Sequence, residues 1–229
     1  MHTPTETQFT ELSGEHDLVP VSRRLLSDGL TPVSAFRLLD DGGSACLFES
    51  VIGGEKVGRY SFLAFSPVKR FHASGTSVTV STTDSESTSE HTDPLDAFRG
   101  HLDGIRFADV GDLPPFVGGA IGYAGYDVVR YVENLPNAPE NDRALPDLDF
   151  AFYNTLVVFD NVTKTMTIVA VAEPAQYISA GEAYQDAVSR IDQTVDRGIS
   201  PGTGHTQETV IVQCQRKGVH PGISHTFVQ

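Results

Sequence analysis

Cysteine occurs only twice in this chain, at Cys46 and Cys214, and the two lack the paired spacing of a zinc or redox site. Reduced thiols without a chemical role are the simplest reading. Positive charge is scarce as well: 16 Lys and Arg stand against 30 Asp and Glu. The resulting net charge of -14 repels nucleic-acid phosphates and anionic lipid headgroups, so neither is expected as a partner. No apolar run is long enough to span a bilayer, and the first twenty residues lack the basic start and apolar stretch of a secretory leader. The expected location is the cytoplasm. None of the eight histidines has a second ligand at metal spacing, so no protein-built metal site is expected. Neither a nucleophile elbow nor the residue order of a catalytic triad is present.

What is present is enough for a core: 39% of the 229 residues are apolar. The polar, Thr- and Glu-rich residues 1–18 read as a frayed tail, 19–198 as one domain, and 199–229 as a linker followed by an unassigned tail. Val21, Leu25, Leu26 and Leu30 recur at helical spacing and predict a short amphipathic helix. The aromatic and apolar runs 34–39, 45–51 and 60–65, separated by Asp-Gly-Gly and Gly-Gly, predict strands, and two more are expected near 70–73 and 77–81. The polar run 82–93 reads as a solvated loop. Asp93 is placed to cap a helix that begins at Pro94 and carries Leu95, Phe98 and Leu102 on one face. Residues 149–159 and 165–172 flank Asp160-Asn161 as a hairpin, and a helix over 174–197 presents Tyr177, Tyr184, Val188, Ile191 and Val195 before Gly198. The fold class is therefore α+β, with antiparallel β-sheets packed face to face and helices at the periphery.

Within LFESVIGGEKVGRYSFLAFSP, residues 47–67, Glu49 and Ser50 interrupt a strand that otherwise reads as buried. A buried carboxylate needs a cation or donors, and Arg59 and Lys56 are the nearby candidates. Two readings stand: a structural ion pair, or a pocket that needs a carboxylate for a ligand ammonium. Gly118, Gly119, Gly122 and Gly125 fit neither a phosphate loop nor a dinucleotide fingerprint. They are expected to allow close backbone approach between sheet layers, with Tyr123 and Tyr126 packing across them, while Asp127 and Arg130 pair on a helical turn.

LFES followed by GGEKVGRYSFLAFSP is similar to the LLES and GGE-x-x-GRYSF-x-G-x-x-P signature of the anthranilate synthase large subunit and its relative, aminodeoxychorismate synthase. LTPVSAFRLL at 30–39 resembles the family's LTPVSAFLKL, and GGAIGYAGYDVVRYVENLP at 118–136 resembles GG-x-x-GY-x-x-YD-x-VR-x-x-E-x-LP. The resemblance implies an N-terminal regulatory domain in which Glu49 and Ser50, with Arg59 as a third group, read the polar ends of L-tryptophan bound as feedback inhibitor. Phe48, where the family more often has Leu, would change the pocket's volume and retune that binding. It also implies that the reaction, chorismate with ammonia or glutamine to anthranilate and pyruvate, belongs to a following chorismate-binding domain. That domain would hold magnesium through its carboxylates and draw ammonia from a glutamine amidotransferase subunit. Residues 1–229 show no segment resembling it, so this chain is expected to carry no catalytic residue and no cofactor and to be inactive alone. The alternatives are the corresponding part of aminodeoxychorismate synthase component I, or a stand-alone tryptophan-binding module.

Overall fold

The computed structural model describes residues 1–49, 58–137 and 143–199, so the linker and tail expected from 200 onward lie outside the described residues. Two five-stranded antiparallel sheets form the frame. The first has the order β1 (Val19–Leu26), β10 (Thr165–Ala172), β9 (Thr155–Asp160), β3 (Tyr60–Phe65), β2 (Ala45–Phe48). The second runs β6 (Glu86–Glu90), β5 (Ser77–Thr82), β4 (Lys69–Ser74), β8 (Leu148–Tyr153), β7 (Gly119–Ala124).

Strands β9 and β10 are apolar on both faces because both faces are covered. Val157, Phe159, Met166 and Ile168 face one way, into a core completed by the helices α1 (Glu6–Ser13), α2 (Pro32–Leu39) and α5 (Ala180–Thr194). Leu156 and Val158 face the other way and meet Ala151 and Tyr153 of the second sheet. That sheet's far face, with Phe71, Leu148 and Phe152, is covered by α3 (Pro94–Arg99), whose Phe98 stacks on Phe150 at a centroid distance of 4.3 Å. The layers are helices, sheet, sheet, helix, which is the α+β arrangement with face-to-face sheets. Each fully buried Leu, Ile, Phe or Met contributes roughly 1.5–3 kcal/mol through its removal from water.

Several elements differ from the sequence reading, each for a physical reason. Residues 1–18 are not a frayed tail. Thr5 and Gln8 form a capping box that starts α1, and the helix docks through Phe9, which is fully buried and 5.5 Å from the Tyr184 ring. The helix expected around Val21 to Leu30 is strand β1, paired with β10 from Val19↔Ala172 to Leu26↔Thr165, because a full-length ladder outweighs a weak helical periodicity. The strand expected at 34–39 is helix α2: Thr31 accepts from the Ser34 N–H at 3.1 Å and Pro32 opens the first turn.

The polar run 82–93 is not all loop, since β6 lies within it as a wholly exposed sheet edge. Its Thr88 hydroxyl meets that of Thr79 at 2.9 Å, and Glu86 and Glu90 put charge on an edge that would otherwise invite pairing. The expected hairpin forms between β9 and β10, but the run 149–159 breaks at Asn154 and sends β8 into the other sheet. The last helix is shorter than expected: α5 is preceded by a separate turn at Pro174–Gln176 and ends at Thr194, where a wider turn takes over.

The glycine segment divides in two. Gly118 does bring the layers together, since a Cβ there would lie 3.0 Å from Cγ2 of Val171. Gly122 instead permits close approach within one sheet, where a Cβ would come to 1.9 Å from the Asp149 carbonyl of the neighbouring strand. Tyr123 and Tyr126 do not pack across it; they are 42% and 89% exposed. Asp127 and Arg130 pair at 2.7 Å on α4 (Val129–Val132) and the turn before it.

Candidate functional site

The β2–β3 ladder ends at Phe48↔Phe62, so Glu49, one residue past β2, and Arg59, one residue before β3, emerge at the same end of the strand pair. Glu49 is exposed there and Phe48 is 52% exposed. The expectation of a buried Glu49 needing a cation is thereby corrected, because a carboxylate left in water has no desolvation to offset. Ser50 and Lys56 lie outside the described residues.

Arg59 pairs instead with Asp160. Its Nε and Nη2 both donate to Oδ2 of Asp160, at 3.1 and 2.7 Å, and its guanidinium lies 4.9 Å from the Tyr60 ring centre. The other oxygen, Oδ1, accepts from the N–H groups of Val162 and Thr163 at 3.0 and 3.2 Å, which fixes the β9–β10 turn. Asn161 completes the clamp: its N–H donates to the Arg59 carbonyl at 2.7 Å, and its Nδ2 donates to the Gly58 carbonyl and to Oγ of Ser61. Burial acts to raise the pKa of Asp160. The bonds from Arg59, Thr163 and Val162 outweigh it and hold the carboxyl at about 2, so Asp160 is charged throughout the neutral range.

This clamp borders a cavity of about 220 Å³. Arg59, Tyr60, Asp160, Arg24, Asp112 and Thr167 are among the residues that line it. Arg24 is tied down too, with Nη1 donating to Oδ2 of Asp112 at 3.1 Å and Nη2 to its carbonyl at 2.9 Å. Val158, Leu113 and Pro114 add apolar surface. The cavity thus offers two arginines, each paired with a carboxylate, together with hydroxyls and one aromatic face, a lining with both charged and apolar parts. Of the expected site residues, Arg59 lines it; Glu49 stands at the same end of the strand pair but is not among the lining side chains. Asp160, Asn161, Arg24 and Asp112 were not singled out from sequence. The dipeptide Asp160-Asn161 was visible there only as a turn.

Two other groups are perturbed. Burial pushes the pKa of the partly buried Cys46 thiol up to about 11, which keeps it protonated in the neutral range. Lys69 and His101 both lie below their ordinary values, Lys69 through burial and His101 through burial and the charge of Lys69. Among the described residues no three His, Cys, Asp or Glu side chains gather as a metal site, and no helix is long and apolar enough to cross a membrane.

No family model matches the chain. Anthranilate synthase component 1 of Acetivibrio thermocellus is 30% identical over 217 residues, which cover 95% of this chain and 43% of that protein. The component 1 protein of Acinetobacter calcoaceticus is 36% identical over 193 residues, covering 81% of this chain and 38% of that one. Among solved structures, anthranilate synthase component I from Streptococcus pneumoniae shares the fold, with a TM-score of 0.52 and 23% identity over 79% of this chain and 37% of that chain. The chain spans about two fifths of the length of these relatives. With 30 to 36% identity carried over most of its residues, the chain is similar to the anthranilate synthase component 1 proteins over about two fifths of their length.

Proposed function

We propose that residues 1–229 are the N-terminal, regulatory part of an anthranilate synthase component 1 and bind L-tryptophan as a feedback inhibitor through Glu49, Ser50 and Arg59. The observation that carries this reading is the placement of Arg59 in a cavity wall at the strand-pair end where Glu49 emerges. A ligand ammonium would be accepted by the Glu49 carboxylate, a ligand carboxylate would take the Arg59 guanidinium, and Tyr60, Val158 and Leu113 would supply apolar surface for an indole. Exposure of Phe48 beside Glu49 makes it a wall that a ligand would cover.

The intact protein, in this reading, converts chorismate with ammonia or glutamine into anthranilate and pyruvate. Its magnesium and its carboxylates for that chemistry belong to a chorismate-binding domain, and a glutamine amidotransferase subunit is its partner. Residues 1–229 contribute inhibitor recognition and no transition-state stabilisation. Calorimetry of the purified chain with L-tryptophan tests the pocket: saturable binding that Glu49→Ala weakens is expected, and an unchanged affinity in that variant removes Glu49 from the site. Incubation with chorismate, magnesium and ammonium tests the division of labour, and anthranilate fluorescence above a protein-free control would refute it.

A further inference from the structure

We infer that Asp160 is a positioning residue, which turns Arg59 so that the outer edge of its guanidinium receives the carboxylate of the ligand in the cavity; this rests on the amino-acid-binding reading above. Asp160 engages Arg59 from the side, through Nε and Nη2 only. Among the described residues Nη1 has no hydrogen-bond partner, so the Nη1–Nη2 edge remains open for a two-point grip on a planar anion, an interaction that suits Arg and that Lys cannot supply. An isolated arginine on this rim would sample many rotamers. Here Asp160 is itself immobilised by the Val162 and Thr163 N–H groups, Asn161 holds the backbone at Gly58, Arg59 and Ser61, and the Tyr60 ring lies alongside the guanidinium. The β9–β10 turn thereby presets the direction of the fork, and a fork preset before binding loses less freedom when the ligand arrives.

The test compares L-tryptophan with tryptamine, which keeps the indole and ammonium but has no carboxylate, by calorimetry on the whole chain. Asp160→Asn should weaken tryptophan binding about tenfold, the scale of one charge-assisted contact, and leave tryptamine unchanged. In an Arg59→Ala background the same substitution should have no further effect on tryptophan. Arg59→Lys keeps the charge but not the fork and should reproduce the selective loss; if Asp160→Asn does not fold, Asp160→Glu, which keeps the charge but shifts the carboxylate away from Nε and Nη2, should show the same selective loss of tryptophan binding. Equal losses for both ligands, or no loss for tryptophan in these variants, would overturn the positioning role. A parent chain that binds neither ligand would overturn the tryptophan reading itself.

Discussion

Nζ of Lys69 lies 3.2 Å from Nδ1 of His101, and the same ammonium sits 4.1 Å above the Phe152 ring. His101 is in turn edge-on to Phe71 and Phe152. As an acceptor for Lys69 the imidazole has to be neutral at Nδ1, and burial and the Lys69 charge both lower its pKa from 6.5. A histidine depressed in the fold contributes stability that is fully present above the unfolded value of 6.5 and is lost as pH falls toward the folded value. The melting temperature should therefore drop on acidification below pH 6.5, and less steeply for His101→Gln, which keeps a neutral acceptor. Parallel profiles for the two proteins would show that His101 is not the titrating group.

Substitution of Gly122 should be severe. A Cβ placed 1.9 Å from the Asp149 carbonyl cannot be relieved by a rotamer change, because both partners are backbone in paired strands. Gly122→Ala should cost about 3 kcal/mol or more in urea denaturation, by forcing β7 and β8 apart. Gly118→Ala is the control. There the nearest atom is a valine methyl at 3.0 Å, and a loss of about 1 kcal/mol is expected.

The first helix should behave as part of the domain. Phe9 is fully buried among residues of β1 and α5, so Phe9→Ala removes a large side chain from a packed core and should destabilise the chain by about 3–5 kcal/mol. Were α1 a frayed segment, the variant would unfold at the denaturant concentration of the parent.

The elements read correctly from sequence were those whose local chemistry and tertiary context agree. Asp93-Pro94 caps and opens α3, and Asp160-Asn161 turns β9 into β10. Conflict between the two levels produced the misreadings. Val21, Leu25 and Leu26 have helical spacing but lie along β10, and SAFRLL is short and apolar like a buried strand but is built mostly of the helix formers Ala, Arg and Leu and follows a Thr31-Pro32 helix start. Phe9 is one aromatic in a polar stretch, and only the groove between β1 and α5 makes it a core residue. Of the candidate site, the sequence motif GRYS points to Arg59, but the partner of Arg59 lies 101 residues away and no local pattern links them.

Acid titration isolates that partner's contribution to stability. Asp160 is held at about 2 against an ordinary 3.8, so its charged form is favoured by folding. The stability it supplies is complete above pH 3.8 and is lost as pH falls from there through about 2. Asp17, held at about 2 by its hydrogen bonds from Arg106, titrates over the same window, so the slope of the parent chain alone does not identify Asp160. The difference between parent and Asp160→Asn does. Their free energies of unfolding should be furthest apart near neutral pH and should converge below pH 3, as the parent's carboxyl takes up its proton and Arg59 loses its ionic partner in both proteins. A gap that stays constant from pH 7 to pH 2 would mean that the substitution acts through packing of the turn and not through the charge on Asp160.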